Sequence, residues 1–297
     1  MEKITLSEHL SVSRIIYGMW RLADDSDTST AHIQAKVEAC LEQGICTFDQ
    51  ADIYGGYMAE GLLGATLRKA PQLRDQMQII TKCGIVAPMG IHSDKSVKHY
   101  NTSADYITQS VERSLKEMAI ETIDLLLIHR PDPLFDADET GSALDTLVNS
   151  GKVKGVGVSN FRPWDMDLLQ SRMHHRLLTN QIEISLQENS ALTNGDLAYL
   201  QRQQVSPMAW SPLGGGHIFK NSNSPLNQTL MSMAKALEVD PSSVAIAWLL
   251  AHPANILPVM GSNNLQRIKL FSEALSIELN RQSWFELLQA ANGQSVP

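Results

Sequence analysis

"IDLLLIH", residues 123–129, is an apolar run of strand length that ends on a histidine. A strand in which Val, Ile and Leu follow one another without polar alternation is buried on both faces, the habit of a parallel sheet covered by helices. Similar runs flank it. Before it stand "RIIYG" (14–18), "ICTFD" (45–49) and "MQIITK" (77–82); after it stand "VKGVGVSN" (153–160), "LTNQIEI" (178–184), "VSPMAW" (205–210) and "NILPVMG" (255–261). Helical patterns lie between them. Ile107, Val111, Leu115 and Met118 recur at steps of four, four and three behind "TSAD" (102–105), which fits a capping box. Proline opens two more helices, at "RPWD" after Asn160 and at "DPSSV" from Asp240.

Strand and helix units in alternation, with no linker and no shift of composition, predict an α/β protein, a closed (β/α)8 TIM barrel forming one domain over residues 1–297. An open doubly wound sheet would more often carry G-x-G-x-x-G after its first strand, where this chain reads "YGMWRL" (17–22). Residues 1–12 are expected to form a hairpin that caps the barrel floor. Residues 264–273 and 281–291 read as surplus C-terminal helices.

Composition narrows the partners. A chain of 297 residues, 43% hydrophobic, can bury a sizeable core, and its net charge of −8 argues against nucleic acid, because no Lys/Arg cluster exceeds a pair. The expected partner is a small molecule. "MEKITLSEHL" has no apolar signal region, and the longest apolar run, "VAIAWLLA" (244–251), is far short of the ~20 residues that span a bilayer. The three cysteines, Cys40, Cys46 and Cys83, lack zinc-site spacing and read as reduced thiols of a cytoplasmic protein.

In a barrel of this kind the site lies at the C-terminal mouth, so the strand ends are informative. In order they supply Gly18 with Trp20, Asp49 with Tyr54, Lys82, His129, Ser159 with Asn160, Gln181, Trp210 with Ser211, and Gly261 with Ser262. Each alone has an ordinary reading: Asp49 as a loop acid or helix cap, Tyr54 as a partly buried aromatic, Lys82 as a strand terminus, His129 as a core histidine. Together they make a proton-transfer set. A phenol titrates near ~10, so an adjacent ammonium that lowers its pKa suits it to act as a general acid. A carboxylate holds that lysine, and a neutral histidine can orient a substrate oxygen. Asp52, in the same loop "FDQADIYGG" (48–56), reads as a solvated loop acid.

In "FDQADIYGG", "ITKCG", "LLLIHRPD", "GVGVSNF", "NQIEIS" and "MAWSPLGGG", in that order along essentially the whole chain, the sequence resembles the aldo-keto reductases. The resemblance implies an oxidoreductase that uses NADPH to reduce an aldehyde or ketone to the alcohol, with Asp49, Tyr54, Lys82 and His129 as the catalytic tetrad and Tyr54 as the acid. It also implies that Ser159, Asn160 and Gln181 hold the nicotinamide carboxamide and that Trp210 stacks on the ring. Ser211, Pro212, Leu213, Gly214 and Gly215 would approach the pyrophosphate through their backbone, Gly18 and Trp20 would join the cofactor-binding rim, and Gly261, Ser262 and Arg267 fall where the 2'-phosphate is bound.

The chain departs from the family pattern in places. Many relatives have lysine where Gly261 stands, and an acid and an asparagine where Leu270 and Phe271 stand, which predicts a smaller preference for NADPH over NADH. Gln50 replaces a common threonine and Ala59 a common serine. Residues 84–101 are expected to wall one side of the substrate pocket, with Trp20 lining it too. Two other classes fit less well: a nicotinamide-binding regulator or sensor with slow turnover, and a metal hydrolase. The latter would want strand-end His-x-His pairs, whereas of nine histidines only His129 ends a strand, and His174 and His175 lie beyond a helical pattern, so no metal is expected.

Overall fold

The computed structural model describes residues 1–297. In chain order its strands are β1 (Lys3–Ser7), β2 (Leu10–Ser13), β3 (Ile16–Gly18), β4 (Thr47–Asp49), β5 (Gln78–Cys83), β6 (Ile85–Val86), β7 (His99–Tyr100), β8 (Leu125–Ile128), β9 (Val156–Ser159), β10 (Leu177–Glu183), β11 (Met208–Trp210) and β12 (Leu257–Met260). β3, β4, β5, β8, β9, β10, β11 and β12 form a closed barrel, each parallel to its neighbours. This is the (β/α)8 architecture, and most strands are shorter than the apolar runs that announce them.

Side chains alternate between two cores, as the period of a strand requires. Ile16, Ile80, Leu125, Leu127, Leu178, Met208, Leu257 and Val259 cluster inside the barrel. Leu10 and Val12 of β2 belong to the same cluster, so the β1–β2 hairpin closes the floor. The residues of opposite parity, such as Phe48, Ile79, Leu126, Ile128 and Val158, pack outward against the helices. With the floor filled by hydrocarbon, polar strand-end groups gather at the other end.

Pro163 and Pro241 stand at the first positions of the helices Pro163–Gln170 and Pro241–Leu250. The helix Ala104–Met118 starts differently from the sequence reading. Ser103 caps it, its hydroxyl accepting from Tyr106 N at 3.4 Å, whereas Thr102 is buried and its hydroxyl is turned toward Asp132 Oδ2 at 3.4 Å. The expected helix over 264–273 breaks into Leu265–Ile268 and a 3-10 turn, Phe271–Ser276, which turns Phe271 and Ala274 into the core. The last helix, Arg281–Asn292, packs on Pro225–Leu237, and its Trp284 stacks on Trp248 at 4.8 Å.

Residues 84–101 hold a small hairpin, β6 with β7, tied down by Tyr57. The Tyr57 hydroxyl donates to Ile85 O at 3.2 Å and accepts from Ala87 N at 3.0 Å. No helix is long and apolar enough to cross a membrane.

Candidate active site

Asp49 ends β4, and Lys82 lies on the neighbouring β5 with the same inward parity as Ile80. Both side chains are buried, and the Lys82 ammonium lies 2.7 Å from Asp49 Oδ2. It also donates to Gln50 O at 2.9 Å and to the Tyr54 hydroxyl at 2.8 Å. An ammonium has three donors and no acceptor, so all its hydrogen-bonding capacity is used. It follows that Tyr54 Oη is an acceptor toward Lys82, and its own proton is free for another partner.

A turn of unusual conformation delivers Tyr54 to this position. Gly55 and Gly56 both have positive φ (58° and 64°), and a Cβ on Gly55 would stand 2.3 Å from Ala23 Cβ. The left-handed conformation suits glycine, and at Gly55 the missing side chain also allows the close approach.

Burial pushes the Tyr54 phenol up to about 12, and the pull of Lys82 in the opposite direction does not reverse it. This corrects the sequence expectation of a net lowering, because the sequence shows the lysine but not the desolvation. Burial would lower the Lys82 pKa, but the Asp49 carboxylate and the Tyr54 oxygen more than offset it, and the net direction is upward. His129 is held neutral, well below the ordinary histidine range, by burial and by Lys82, Arg130 and Lys98. Its ring lies 6.0 Å from that of Tyr54, and its Nδ1 is buried without a hydrogen-bond partner.

Asp49 links this cluster to the next. Its Oδ1 accepts from Gln181 Nε2 at 2.8 Å. A register shift between Leu177 and Asn180 in β10 allows Leu178 to face the barrel interior and Gln181 to face Asp49 as well, the re-aiming that a bulge provides. Ser159 Oγ donates to Gln181 O at 2.8 Å, Asn160 Nδ2 donates to Ser159 Oγ at 2.8 Å, and Trp210 Nε1 donates to Asn160 Oδ1 at 2.9 Å. Asn160 and Ser211 both have positive φ, 60° and 48°. One hydrogen-bonded chain therefore runs from Tyr54 through Lys82, Asp49, Gln181, Ser159 and Asn160 to Trp210.

The remaining sequence-derived residues form the outer rim. Gly18 leaves room for Val259 Cγ1, which a Cβ would meet at 2.9 Å, and a Cβ on Gly261 would stand 3.1 Å from Gly18 O. Trp20 is exposed with Arg21 over its ring. Pro212 is buried and Leu213 packs against the core, so their side chains serve the fold, whereas Gly214 and Gly215 turn with positive φ (55° and 63°). The Ser262 hydroxyl accepts from Asn264 N at 3.1 Å, and Ser262 O accepts from the Tyr17 hydroxyl at 2.9 Å. Arg267 is exposed, and its guanidinium has no ion pair or hydrogen bond within the chain.

Three features escaped the sequence reading. Asp52 is buried, not solvated, and its carboxyl meets Arg113 at 3.4 Å from a distant helix. Arg130, the neighbour of His129 in "HRPD", lies 5.8 Å from the Trp210 ring centre. Glu183 stands two residues beyond Gln181 on β10, paired in register with Trp210. The last two could have been found by taking the residues within two positions of each strand-end group as site residues too. No group of three or more His, Cys, Asp or Glu side chains is placed to hold a metal ion.

The pattern of the Aldo/keto reductase family matches residues 14–292. The chain is 61% identical over 296 residues to a protein of Agrobacterium fabrum named 6-dehydroglucose reductase, covering all of both chains. It is 42% identical over 300 residues to oxidoreductase YdhF of Escherichia coli, again covering both completely. A second 6-dehydroglucose reductase, from Novosphingobium aromaticivorans, is 39% identical, with 97% of this chain and 94% of the other covered. Among solved structures, the thermostable aldo-keto reductase Tm1743, in complex with the inhibitor epalrestat, superposes with a TM-score of 0.83 over 98% of this chain and 100% of that one, at 23% identity, a likeness of fold.

Proposed function

This chain belongs to the aldo/keto reductase family and is an oxidoreductase; from that premise we propose that it reduces the aldehyde of a sugar, 6-dehydroglucose or a close hydroxylated relative, to the primary alcohol with NADPH as reductant. The carrying observation is the saturated Lys82 ammonium, which leaves the Tyr54 proton as the one mobile donor of the buried cluster. NADPH, when bound, supplies the hydride to the carbonyl carbon.

Tyr54 gives its proton to the carbonyl oxygen, so that the aldehyde gains a C–H and an O–H bond. The phenolate left behind faces the Lys82 ammonium at 2.8 Å, and a proton from solvent restores it. A dry, fixed cation beside developing negative charge is the arrangement in which electrostatic stabilisation is strongest. His129, kept neutral, can hydrogen-bond the same oxygen without adding a competing charge.

The rim fits a phosphorylated dinucleotide by the chemistry of its donors. Arg267 offers a free planar fork, Ser262 keeps its hydroxyl proton to donate, and Gly214 and Gly215 leave backbone open to close approach. Ser159, Asn160 and Gln181 would hold the carboxamide, and Trp210 the face of the ring. Identity of 61% over the full length to a protein named 6-dehydroglucose reductase supports the substrate class.

The test is loss of NADPH absorbance with 6-dehydroglucose and with a panel of plain aldehydes and ketones, before and after dialysis against EDTA. Preferential turnover of the sugar aldehyde, unchanged by EDTA, is expected. Turnover of other carbonyls alone would remove the sugar, and no turnover with any carbonyl would leave a nicotinamide-binding regulator as the better reading.

A further inference from the structure

Arg130 is a half-buried cation at the mouth that forms no ion pair. It follows His129 directly, and its guanidinium lies 5.8 Å from the centre of the Trp210 ring. Trp210 is bonded to Asn160 at 2.9 Å, and Asn160 Nδ2 reaches His129 O at 3.5 Å. These contacts form a closed ring from His129 through Asn160 and Trp210 to Arg130, so Arg130 lies on the rim that carries the reacting group. Yet it makes no ion pair and no side-chain hydrogen bond.

Glu183 is the complementary observation. It has the inward parity of Gln181, one step nearer the mouth, and it pairs in register with Trp210. It too is half-buried and makes no ion pair or side-chain hydrogen bond. Trp210 brings the two groups together, Arg130 lying 5.8 Å from its ring centre and Glu183 paired with it in register, and the raised pKa of Glu183, caused by burial and Glu188 and opposed by Arg130, agrees with that placement. A guanidinium and a carboxyl that flank the same ring and do not pair present a free donor and a free acceptor side by side at the mouth. Hydroxyl groups fit such a pair, because each accepts from the guanidinium with its oxygen and donates to the carboxyl with its proton. A plain aliphatic aldehyde has nothing to place there.

We propose that Arg130, with Glu183 beside it, is the specificity-determining pair that binds the hydroxyl groups of the substrate remote from its aldehyde. The assignment rests on the sugar-aldehyde reading above and adds which side chains select the sugar. Neither group touches the reacting carbonyl, so the pair acts on the ratio between substrates.

The experiment compares kcat and KM for 6-dehydroglucose and for propanal in wild type, R130M, R130K and E183Q, with the KM for NADPH measured alongside. For R130M the ratio of sugar kcat/KM to propanal kcat/KM is expected to fall about tenfold to a hundredfold, the scale of one charge-assisted bond, chiefly through KM of the sugar. R130K should recover part of that ratio, and E183Q should lower it less than R130M. Equal losses for both aldehydes, or a loss that follows a raised KM for NADPH, would assign Arg130 to the cofactor or the fold and overturn the proposal. A wild type active on 6-dehydroglucose with an unchanged ratio in R130M overturns the pair alone. A wild type inactive on the sugar overturns the substrate reading and the pair with it.

Discussion

Strand β5 has a buried charged cluster on each side, and the two are built in opposite ways. On the barrel side, Lys82 has three acceptors for three donors: Asp49, Gln50 O and Tyr54. On the helix side, its neighbours Thr81 and Cys83 face two buried acids, Glu60 and Asp52. Glu60 is satisfied by Thr81 Oγ1 at 2.5 Å and Ser114 Oγ at 3.0 Å. Asp52 has only a 3.4 Å contact with Arg113, and its Oδ1 has no partner. Both clusters are out of water, where an unpaired charge is heavily disfavoured. The inner one keeps its charges by pairing them, whereas in the outer one burial and the neighbouring carboxyl push Asp52 well above the usual carboxylate range. The loop "FDQADIYGG" supplies one acid to each side, and only Asp49 faces the chemistry.

The largest effect that separates the two sides is expected at Tyr54. Tyr54→Phe keeps the ring and removes the free proton, so kcat for carbonyl reduction should fall by ~10²- to 10⁴-fold, the usual worth of a placed general acid, with the dissociation constant of NADPH little changed. A variant with a tenth or more of native kcat would take the acid role from Tyr54, and with it the claim that the inner cluster exists to release that proton.

Lys82→Met should follow closely, with kcat reduced by ~10²-fold or more, because the phenolate formed at Tyr54 loses its counter-charge. The pH profile makes the role specific. With the phenol pushed up to about 12 it is protonated through the neutral range, so kcat/KM should fall only in the alkaline range as Tyr54 deprotonates. His129, held neutral by burial and three cations, should contribute no break near the ordinary histidine value of ~6.5. Removing the ammonium raises the phenol further, so the alkaline fall should move to higher pH in Lys82→Met. An unmoved profile would reduce Lys82 to a structural charge.

These residues were legible for a physical reason. A regular strand in a closed barrel alternates, so Asp49, Lys82 and His129 at the ends of apolar runs gather at one mouth, and continuous runs such as "IDLLLIH" mark the strands themselves. What escaped was set by neighbours far along the chain. Asp52 is buried, and its one side-chain partner, Arg113, comes from 61 residues later. The direction of the Tyr54 shift depends on desolvation, and the placing of Gln181 on a register shift within β10. Thr102 is buried with its hydroxyl turned toward Asp132, 30 residues later, which leaves the cap to Ser103.

At the rim, in contrast to both buried clusters, a charge stands free in water. Arg267→Ala should weaken NADPH by about tenfold to a hundredfold and spare NADH, since a charge-assisted bond nets ~1.5 to 3 kcal/mol. Gly261 adds no second cation, so the effect should lie toward the lower end. Dissociation constants for both cofactors at fixed salt, from tryptophan quenching, decide it. Equal losses would mean that Arg267 holds the part the two cofactors share.

The smallest expected effect tests the outer cluster itself. Because Asp52 holds its proton to higher pH in the native state than in the unfolded chain, the native state binds more protons between the unfolded pKa near ~3.9 and the folded value. The stability this group contributes is therefore fully present below the unfolded pKa and is lost as pH rises through the folded one. Asp52→Asn keeps the shape and an oxygen for Arg113 while abolishing the titration. Its stability relative to wild type should improve as pH rises from about 4 to about 8, by on the order of 1 kcal/mol, the usual scale of a single substitution. Urea denaturation at both pH values measures the difference from the midpoint shift at constant slope. Turnover should stay near wild type, since no hydrogen bond joins the Asp52 side chain to Lys82 or Tyr54. A relative stability that falls with pH would mean that Arg113 holds Asp52 ionised. A loss of kcat comparable to that of Lys82→Met would mean that the two sides of β5 act as one network, and the contrast between them would not hold.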